Sequence, residues 1–210
     1  MISQDVKDFY YVMVRWLTLP NTWMARVRFR NPPPQGYAIH LGCGVHYIKG
    51  MINVDGNICR KKELWHDLRN RLPFPDKSAH FVYSSNVLEH IFPWESLFVL
   101  REIRRILRPD GIARISVPSM EHALDICAGR ATQTWPMQHA DPLAQAIEYL
   151  FIQGQHKYGF SAGLLEEHAR KAGFTRVFQY SQEHGCAGKR YGDVAIERDD
   201  EGNLVVELQP

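Results

Sequence analysis

Ile39-His-Leu-Gly-Cys-Gly44 sets two glycines one residue apart at the end of a strand-like run. Gly42 and Gly44 lack a Cβ, so the turn can take positive φ and admit a ligand close to the backbone. In an open α/β sheet this position, outside the carboxyl ends of the strands, is where nucleotides bind. The next strand-like run, Met51-Ile-Asn-Val-Asp55, ends in an acid that can accept both hydroxyls of a ribose. A dinucleotide site asks for G-x-G-x-x-G and an acid about 20 residues further on. Here Tyr47 stands at the third-glycine position and Asp55 follows Gly44 by only 11 residues, which disfavours NAD. Taken singly, the two glycines also suit a plain tight turn, and Asp55 before Gly56 also suits a turn.

Metal chemistry has less to recommend it. His122, His139 and His156 show no helical i, i+4 pairing with a matching carboxylate, and no cysteine joins them, so no metal site is expected. Cys43, Cys59, Cys127 and Cys186 form no C-x-x-C pair, which argues for reduced thiols and a cytoplasmic setting. Arg101, Arg104, Arg105 and Arg108 make a basic stripe on one helix, read as a solvated face.

The elements that must position these groups alternate between strand and helix patterns, the mark of an α/β sheet. Strands are predicted at Tyr37–Leu41, Met51–Asp55, Glu63–Asp67, His80–Ser84 and Ile112–Val117, with later ones at Phe174–Tyr180, Asp193–Glu197 and Leu204–Leu208. A helix over Pro93–Arg108 carries Leu97, Leu100, Ile103 and Leu107 on one face and stops at Pro109-Asp-Gly111. Asp141-Pro142 caps a second helix reaching about Gln153, and a third opens near Ser161 and closes at Gly173. Before all of these, residues 1–30 read as two short helices broken at Pro20-Asn21, and Asn31-Pro-Pro-Pro-Gln-Gly36 as an extended joint. The chain thus divides into an aromatic, basic cap over residues 1–36 and a body over residues 37–210.

In combination the motifs resemble the class I S-adenosylmethionine-dependent methyltransferases over roughly residues 37–120. The stretches that carry the likeness are His40-Leu-Gly-Cys-Gly44, Ile52-Asn-Val-Asp55, His66-Asp-Leu68, Leu72-Pro-Phe-Pro-Asp76, Val82-Tyr-Ser-Ser-Asn-Val-Leu-Glu-His90 and Leu107-Arg-Pro-Asp-Gly111. The last three look most like the small-molecule branch, and the likeness extends to a subgroup associated with cell-surface polysaccharides. It implies a Rossmann-like fold: a mostly parallel central sheet with helices on both faces. It also implies S-adenosylmethionine as cofactor. Gly42 and Gly44 would pass under its methionine part, Asp55 would bind the ribose hydroxyls, and Asp67 and Leu68 would meet the adenine. Ser85 and Asn86 would floor the site near the methyl group, and Glu89 and His90 would open the next helix at its mouth. His90 and His156 are the candidate bases, needed only if the acceptor is a hydroxyl or a protonated amine. Trp135, His139 and Tyr149 would join His156 in walling the substrate. One departure stands out: about nine residues separate Leu41 from Met51, where the family usually carries a full helix.

The expected activity is methyl transfer to a small-molecule acceptor, tied to cell-surface glycan or other secondary metabolism; the alternative is a catalytically silent scaffold of the same fold. Composition sharpens the choice of partner. Of 210 residues, 25 are Lys or Arg and 23 are Asp or Glu. Residues 1–30 hold five basic and two acidic residues, so the net +2 resides in the cap and the body is near neutral. A near-neutral body suits a small acceptor and gives no case for nucleic acid. The aromatic, arginine-rich cap suits a lid, a homodimer contact or a membrane surface, with packing on the sheet as the favoured reading. The chain is expected to act as a monomer or a homodimer.

Overall fold

The computed structural model describes residues 4–132, 137–179 and 202–210. Its centre is a seven-stranded sheet of order β3-β2-β1-β4-β5-β7-β6. The strands are β1 (Tyr37–Leu41), β2 (Ile52–Asp55), β3 (Leu64–Trp65), β4 (Ala79–Ser85), β5 (Leu107–Pro118), β6 (Arg176–Gln179) and β7 (Asn203–Gln209). The first five run parallel, and β7 pairs antiparallel with both β5 and β6. The expected strand at Asp193–Glu197 falls outside the described residues, as do Trp135 and Cys186.

Helices follow the sequence signals closely, with informative shifts. The cap forms α1 (Gln4–Leu17) and α2 (Leu19–Arg28). The break falls at Thr18 rather than at Pro20-Asn21, and Pro20 sits in the first turn of α2. A proline there loses no intrahelical bond, because the first-turn N–H groups have no partner anyway. Helix α3 (Pro93–Ile106) ends two residues earlier than its apolar spacing predicts. Leu107 already pairs with Ala79 in the sheet, the Pro109-Asp-Gly111 turn loops out, and pairing resumes at Ile112 opposite Phe81. Met120–Cys127 forms α4, an element the sequence reading did not separate out. Helix α5 (Pro142–Phe151) is capped as expected by Asp141, whose carboxylate accepts from Leu143 N and Ala144 N. Ser161 does the same for Leu164 N at the start of α6 (Ala162–Lys171).

The main hydrophobic cluster lies on one face of the sheet. It joins Ile39, Leu41, Val82, Ile115 and Val206 to Ala25 of α2, Phe29 just after it, Leu100 and Ile103 of α3, and Leu165 and Ala169 of α6. Cap and body therefore share one core. Each fully buried Leu, Ile or Phe in it contributes roughly 1.5–3 kcal/mol. On the opposite face Phe81, Tyr83 and Ile112 pack with Ile48 and Met51 from the β1–β2 connection.

Three arginines anchor the loops around the sheet. The Arg105 guanidinium donates to the carbonyls of Leu72 and Phe74, at 2.9 Å each, and forks onto the Glu102 carboxylate. Pro73 and Pro75 have no N–H to give to a ladder, so this loop is fixed through its carbonyls instead. Arg104 donates to Gly173 O and Arg108 to Pro34 O, so three of the four stripe arginines are structural anchors rather than a solvated face.

Candidate active site

The chain leaves β1 at Leu41 and turns at Gly42, whose φ is +68°. A Cβ at Gly42 would stand 2.3 Å from Cγ2 of Val87, so no other residue fits there. Gly44, at φ +49°, meets nothing within 4 Å of such an atom and opens onto free space. The Gly42 and Cys43 N–H groups both donate to Val54 O, tying the turn to β2. Gly44 N donates to Oδ2 of Asp55 at 2.7 Å, and Asn57 N donates to Oδ1 at 2.6 Å. Each carboxylate oxygen thus has one fixed donor and keeps lone-pair capacity for a ligand hydroxyl. Gly42, Gly44 and Asp55 come together as the spacing predicts, at the point where strand order reverses around β1.

Cys43 lies between the two glycines but is buried, and burial pushes its thiol up to about 12. It is a packed residue, not a nucleophile.

The absent helix between β1 and β2 is replaced by side-chain hydrogen bonds. Asn53, fully buried on β2, accepts from Ile48 N at 2.9 Å and donates to Ile48 O and Met51 O. It also bonds Glu63 through both its backbone N–H and its amide. Tyr47, at the missing third-glycine position, donates its hydroxyl to the same Glu63. Burial raises the Glu63 pKa, but the bonds from Tyr47 and Asn53 outweigh it and hold the carboxyl below its ordinary value.

Asp67 sits near the end of β3 but is not free to meet a base. Arg69 donates Nε to its Oδ1 at 2.9 Å and Nη2 to its Oδ2 at 2.6 Å, while Nη2 also reaches Tyr11 O in α1. Any adenine contact through this carboxylate has to compete with Arg69. Leu68 is buried in the main cluster. Ser85 and Asn86 lie at the end of β4, just past the Leu41–Ser84 pairing. Asn86 holds positive φ (+53°), donates its N–H to Ser116 O and accepts from Asn203 Nδ2 at 2.9 Å.

Helix α1 closes over this end of the sheet. Tyr10 accepts from Ile58 N and donates to Gly56 O, and a Cβ at Gly56 would touch Val14 and Tyr11 at 3.5 and 3.6 Å. Burial raises the Tyr11 pKa, and the nearby Asp55 and Asp67 carboxylates add to the effect. Tyr10 and Tyr11 stood out in the sequence only as part of the aromatic cap, and Arg69 had no signal there.

Glu89 and His90 do not open α3. They form a separate single turn, Leu88–His90, before α3 begins at Pro93. Lys157 N and Tyr158 N donate to Glu89 O at 2.6 and 3.2 Å, which brings His156 alongside. The two candidate bases are therefore neighbours: the rings of His90 and His156 lie 4.7 Å apart, edge to face. Each Nε2 stands 4.0 Å from Oε1 of Glu89. Nδ1 of His90 donates to Gln155 O at 3.2 Å, and Nδ1 of His156 to Leu150 O at 2.6 Å. Those carbonyls only accept, so both rings carry a proton on Nδ1 and can present Nε2 lone pairs to Glu89. Burial pushes the His156 pKa down to about 4 and the Glu89 pKa up to about 8. Val87, which closes on Gly42, precedes Glu89 by two residues and links this cluster to the glycine turn.

The other histidines disperse. His122 packs against Tyr149 at 5.1 Å, and His139 lies near Glu148 on α5. Tyr149 is buried, its hydroxyl accepting from Ser119 N and donating to Gly202 O.

A family model described as a methyltransferase domain matches residues 25–179. An S-adenosylmethionine-dependent methyltransferase of Mycolicibacterium smegmatis is 31% identical over 108 residues, 49% of this chain. The match spans 40% of that relative's length. Among solved structures, a chain of the complex between the Haloferax volcanii Trm112 methyltransferase activator and a methyltransferase superposes with a TM-score of 0.53. It is 16% identical, with 100% of this chain and 99% of that one covered. A SAM-dependent methyltransferase of Archaeoglobus fulgidus gives 0.52 at 15% identity, covering 90% and 94%. These two show the fold, and the family match over most of the chain settles its kinship: it belongs to the S-adenosylmethionine-dependent methyltransferase domains.

Proposed function

We propose that the chain transfers the methyl group of S-adenosylmethionine to a small-molecule acceptor entering beside Glu89, His90 and His156. The observation that carries this reading is the hydrogen bond from Gly44 N to Asp55 Oδ2, beneath a glycine that opens onto free space. That pairing preorganises an acid for the ribose hydroxyls next to backbone that a cofactor can approach closely. The cofactor supplies an activated methyl on a sulfonium. The protein has to hold the acceptor in line, which can account for roughly 7–11 kcal/mol of the barrier. In this reading Ser85 and Asn86, at the end of β4, would floor the methyl site, and His90 or His156 would accept the acceptor's proton at Nε2.

Residues 1–36 act in this proposal as a cap on the body at 37–210, supported by the bonds from Tyr10, Asn21 and Thr22 to Gly56, Trp65 and His66. Acceptors from cell-surface glycan or other secondary metabolism remain the proposed class. Calorimetric titration with S-adenosylhomocysteine tests the reading. Binding is expected, with marked weakening in Asp55→Ala; no binding at millimolar ligand would overturn it. Methylated product from an alcohol, amine, carboxylate or thiol panel excludes a silent scaffold.

A further inference from the structure

Glu89 is the one carboxylate among the described residues that is almost fully buried with neither oxygen hydrogen-bonded. An unpaired carboxylate in such a place is costly unless something positive meets it. What faces it is unusual. Two imidazoles, both fixed by backbone carbonyls through Nδ1, turn their Nε2 atoms toward it. Both Glu89 oxygens and both Nε2 atoms border one small space, and no other protein donor stands between them.

We propose that Glu89, His90 and His156 form a binding site for a divalent first-row transition-metal ion. One ligand atom from each residue lies within 4.8 Å of the other two. Two ligand atoms each about 2.1 Å from a shared ion stand at most about 4.2 Å apart. The 4.0 Å separations from Glu89 to both rings lie inside that limit, and a tetrahedral set, with ligand atoms about 3.4 Å apart, asks each to close by roughly half an ångström. That adjustment falls to Glu89, whose oxygens are held by no hydrogen bond, and to the 42% exposed His90.

The backbone bonds at both Nδ1 atoms are the outer shell that ligating histidines need, since they fix tautomer and ring direction. Two imidazoles and one carboxylate suit Mn²⁺, Co²⁺ or Zn²⁺ better than Mg²⁺ or Ca²⁺, which prefer all-oxygen sets. Lys7 and Lys157 are the cations whose charge reaches His90. Lys157 is paired with Asp8 at 2.8 Å, and the Glu89 carboxylate offsets one charge of the ion. The sequence hides this site because its third ligand is 66 residues beyond His90 and follows a different helix.

Resting on the methyltransferase reading, the site also points to an acceptor whose hydroxyl binds the ion. A three-ligand ion keeps open positions, and a bound hydroxyl there is a far stronger acid than in water. The hydroxyl proton leaves to solvent, its oxygen forms the new bond to the methyl carbon, and the carbon–sulfur pair returns to sulfur. The two imidazoles then act as ligands instead of as bases.

Cobalt binding to the chelator-treated full chain tests the site, followed by calorimetry and by visible d–d absorption. One equivalent of Co²⁺ is expected, without thiolate charge-transfer bands. Glu89→Gln, His156→Gln and His90→Ala should each weaken binding by at least about tenfold. The exposed position of His90 keeps that variant informative should a change at Glu89 impair folding, and S-adenosylhomocysteine affinity serves as the check on the fold. Absence of Co²⁺ binding, or equal binding in wild type and all three variants, overturns the metal site. S-Adenosylhomocysteine binding without Co²⁺ binding leaves the methyltransferase reading standing alone. Co²⁺ binding without S-adenosylhomocysteine binding supports the metal site and sinks the oxygen-acceptor argument.

Discussion

At the scale of single residues, ten histidines are indistinguishable in the sequence, and burial sorts them. His40 and His66 belong to the stretches that carry the family likeness, yet both are almost wholly buried and serve the fold. His40 donates through Nδ1 to Asn53 Oδ1, which is also the acceptor for Ile48 N. His66 lies between the Thr22 hydroxyl of α2 and Asn70 O, stitching cap to body. Burial pushes both pKa values down to about 4 from an ordinary 6.5. Between those values the unfolded chain binds protons that the folded chain does not, so stability falls as pH drops through that window. Each histidine is worth about 3 kcal/mol over the full window. The expected result is read as the difference in unfolding free energy between wild type and His66→Gln, so that other titrating groups cancel. That difference should move against wild type by about 2–3 kcal/mol between about pH 7.5 and about pH 4.5 in urea denaturation. A pH-independent difference contradicts the assignment of His66 as a buried neutral bridge. Gly42, Gly44 and Asp55 were legible because spacing and residue type alone demand a turn and an acid there. Glu89 was placed at the mouth by the family likeness, but its burial without a hydrogen-bond partner was not legible, being a property of the packed chain.

Elements were legible where a local signal defines them. The caps at Asp141 and Ser161 are side-chain chemistry within three residues; the first formed as read, and the second helix opens where expected. The end of α3 was not, since apolar spacing continues through Leu107 while the sheet captures that residue for β5. The β1–β2 connection shows the same limit in another form. Its shortness predicts a missing helix, but nothing local says what replaces it. The answer is Asn53, whose amide and backbone bond Ile48, Met51, His40 and Glu63 at once. Truncating that side chain leaves buried backbone groups and a buried ring nitrogen without partners, each at a cost of about 1–3 kcal/mol. Asn53→Ala should therefore lower stability by about 3 kcal/mol and the melting temperature by roughly 6–12 °C. Because the same loop carries Gly44, cofactor affinity should fall as well, even under conditions where the variant is folded. A thermal melt paired with S-adenosylhomocysteine titration separates the two effects. Unchanged affinity in the folded variant would show that Asn53 does not govern the cradle.

For the whole molecule, the uneven charge in the sequence becomes a geometric asymmetry. The inner faces of α1 and α2 bury Val14, Thr18, Thr22, Ala25 and Phe29 against the body, so the expected packing on the sheet is met on one side. The outer faces leave Phe9, Trp16, Trp23, Met24 and Val27 more than half exposed, with Arg26, Arg28 and Arg30 also exposed. No helix among the described residues is long and apolar enough to cross a membrane. A surface that combines tryptophans with arginines suits the interface of an anionic bilayer, where apolar area and headgroup charge are met together. On that reading the outer face of the cap meets a lipid surface, and flotation tests it. The full chain should float with vesicles rich in anionic lipid and fail to float with neutral ones, and raised salt should release it. Trp16→Ser with Trp23→Ser should abolish flotation while leaving S-adenosylhomocysteine affinity intact, because both rings point away from the core. If the full chain stays in solution with anionic vesicles, the membrane reading fails. A concentration-dependent doubling of mass, lost in the same double variant, would then assign this face to a second copy of the chain.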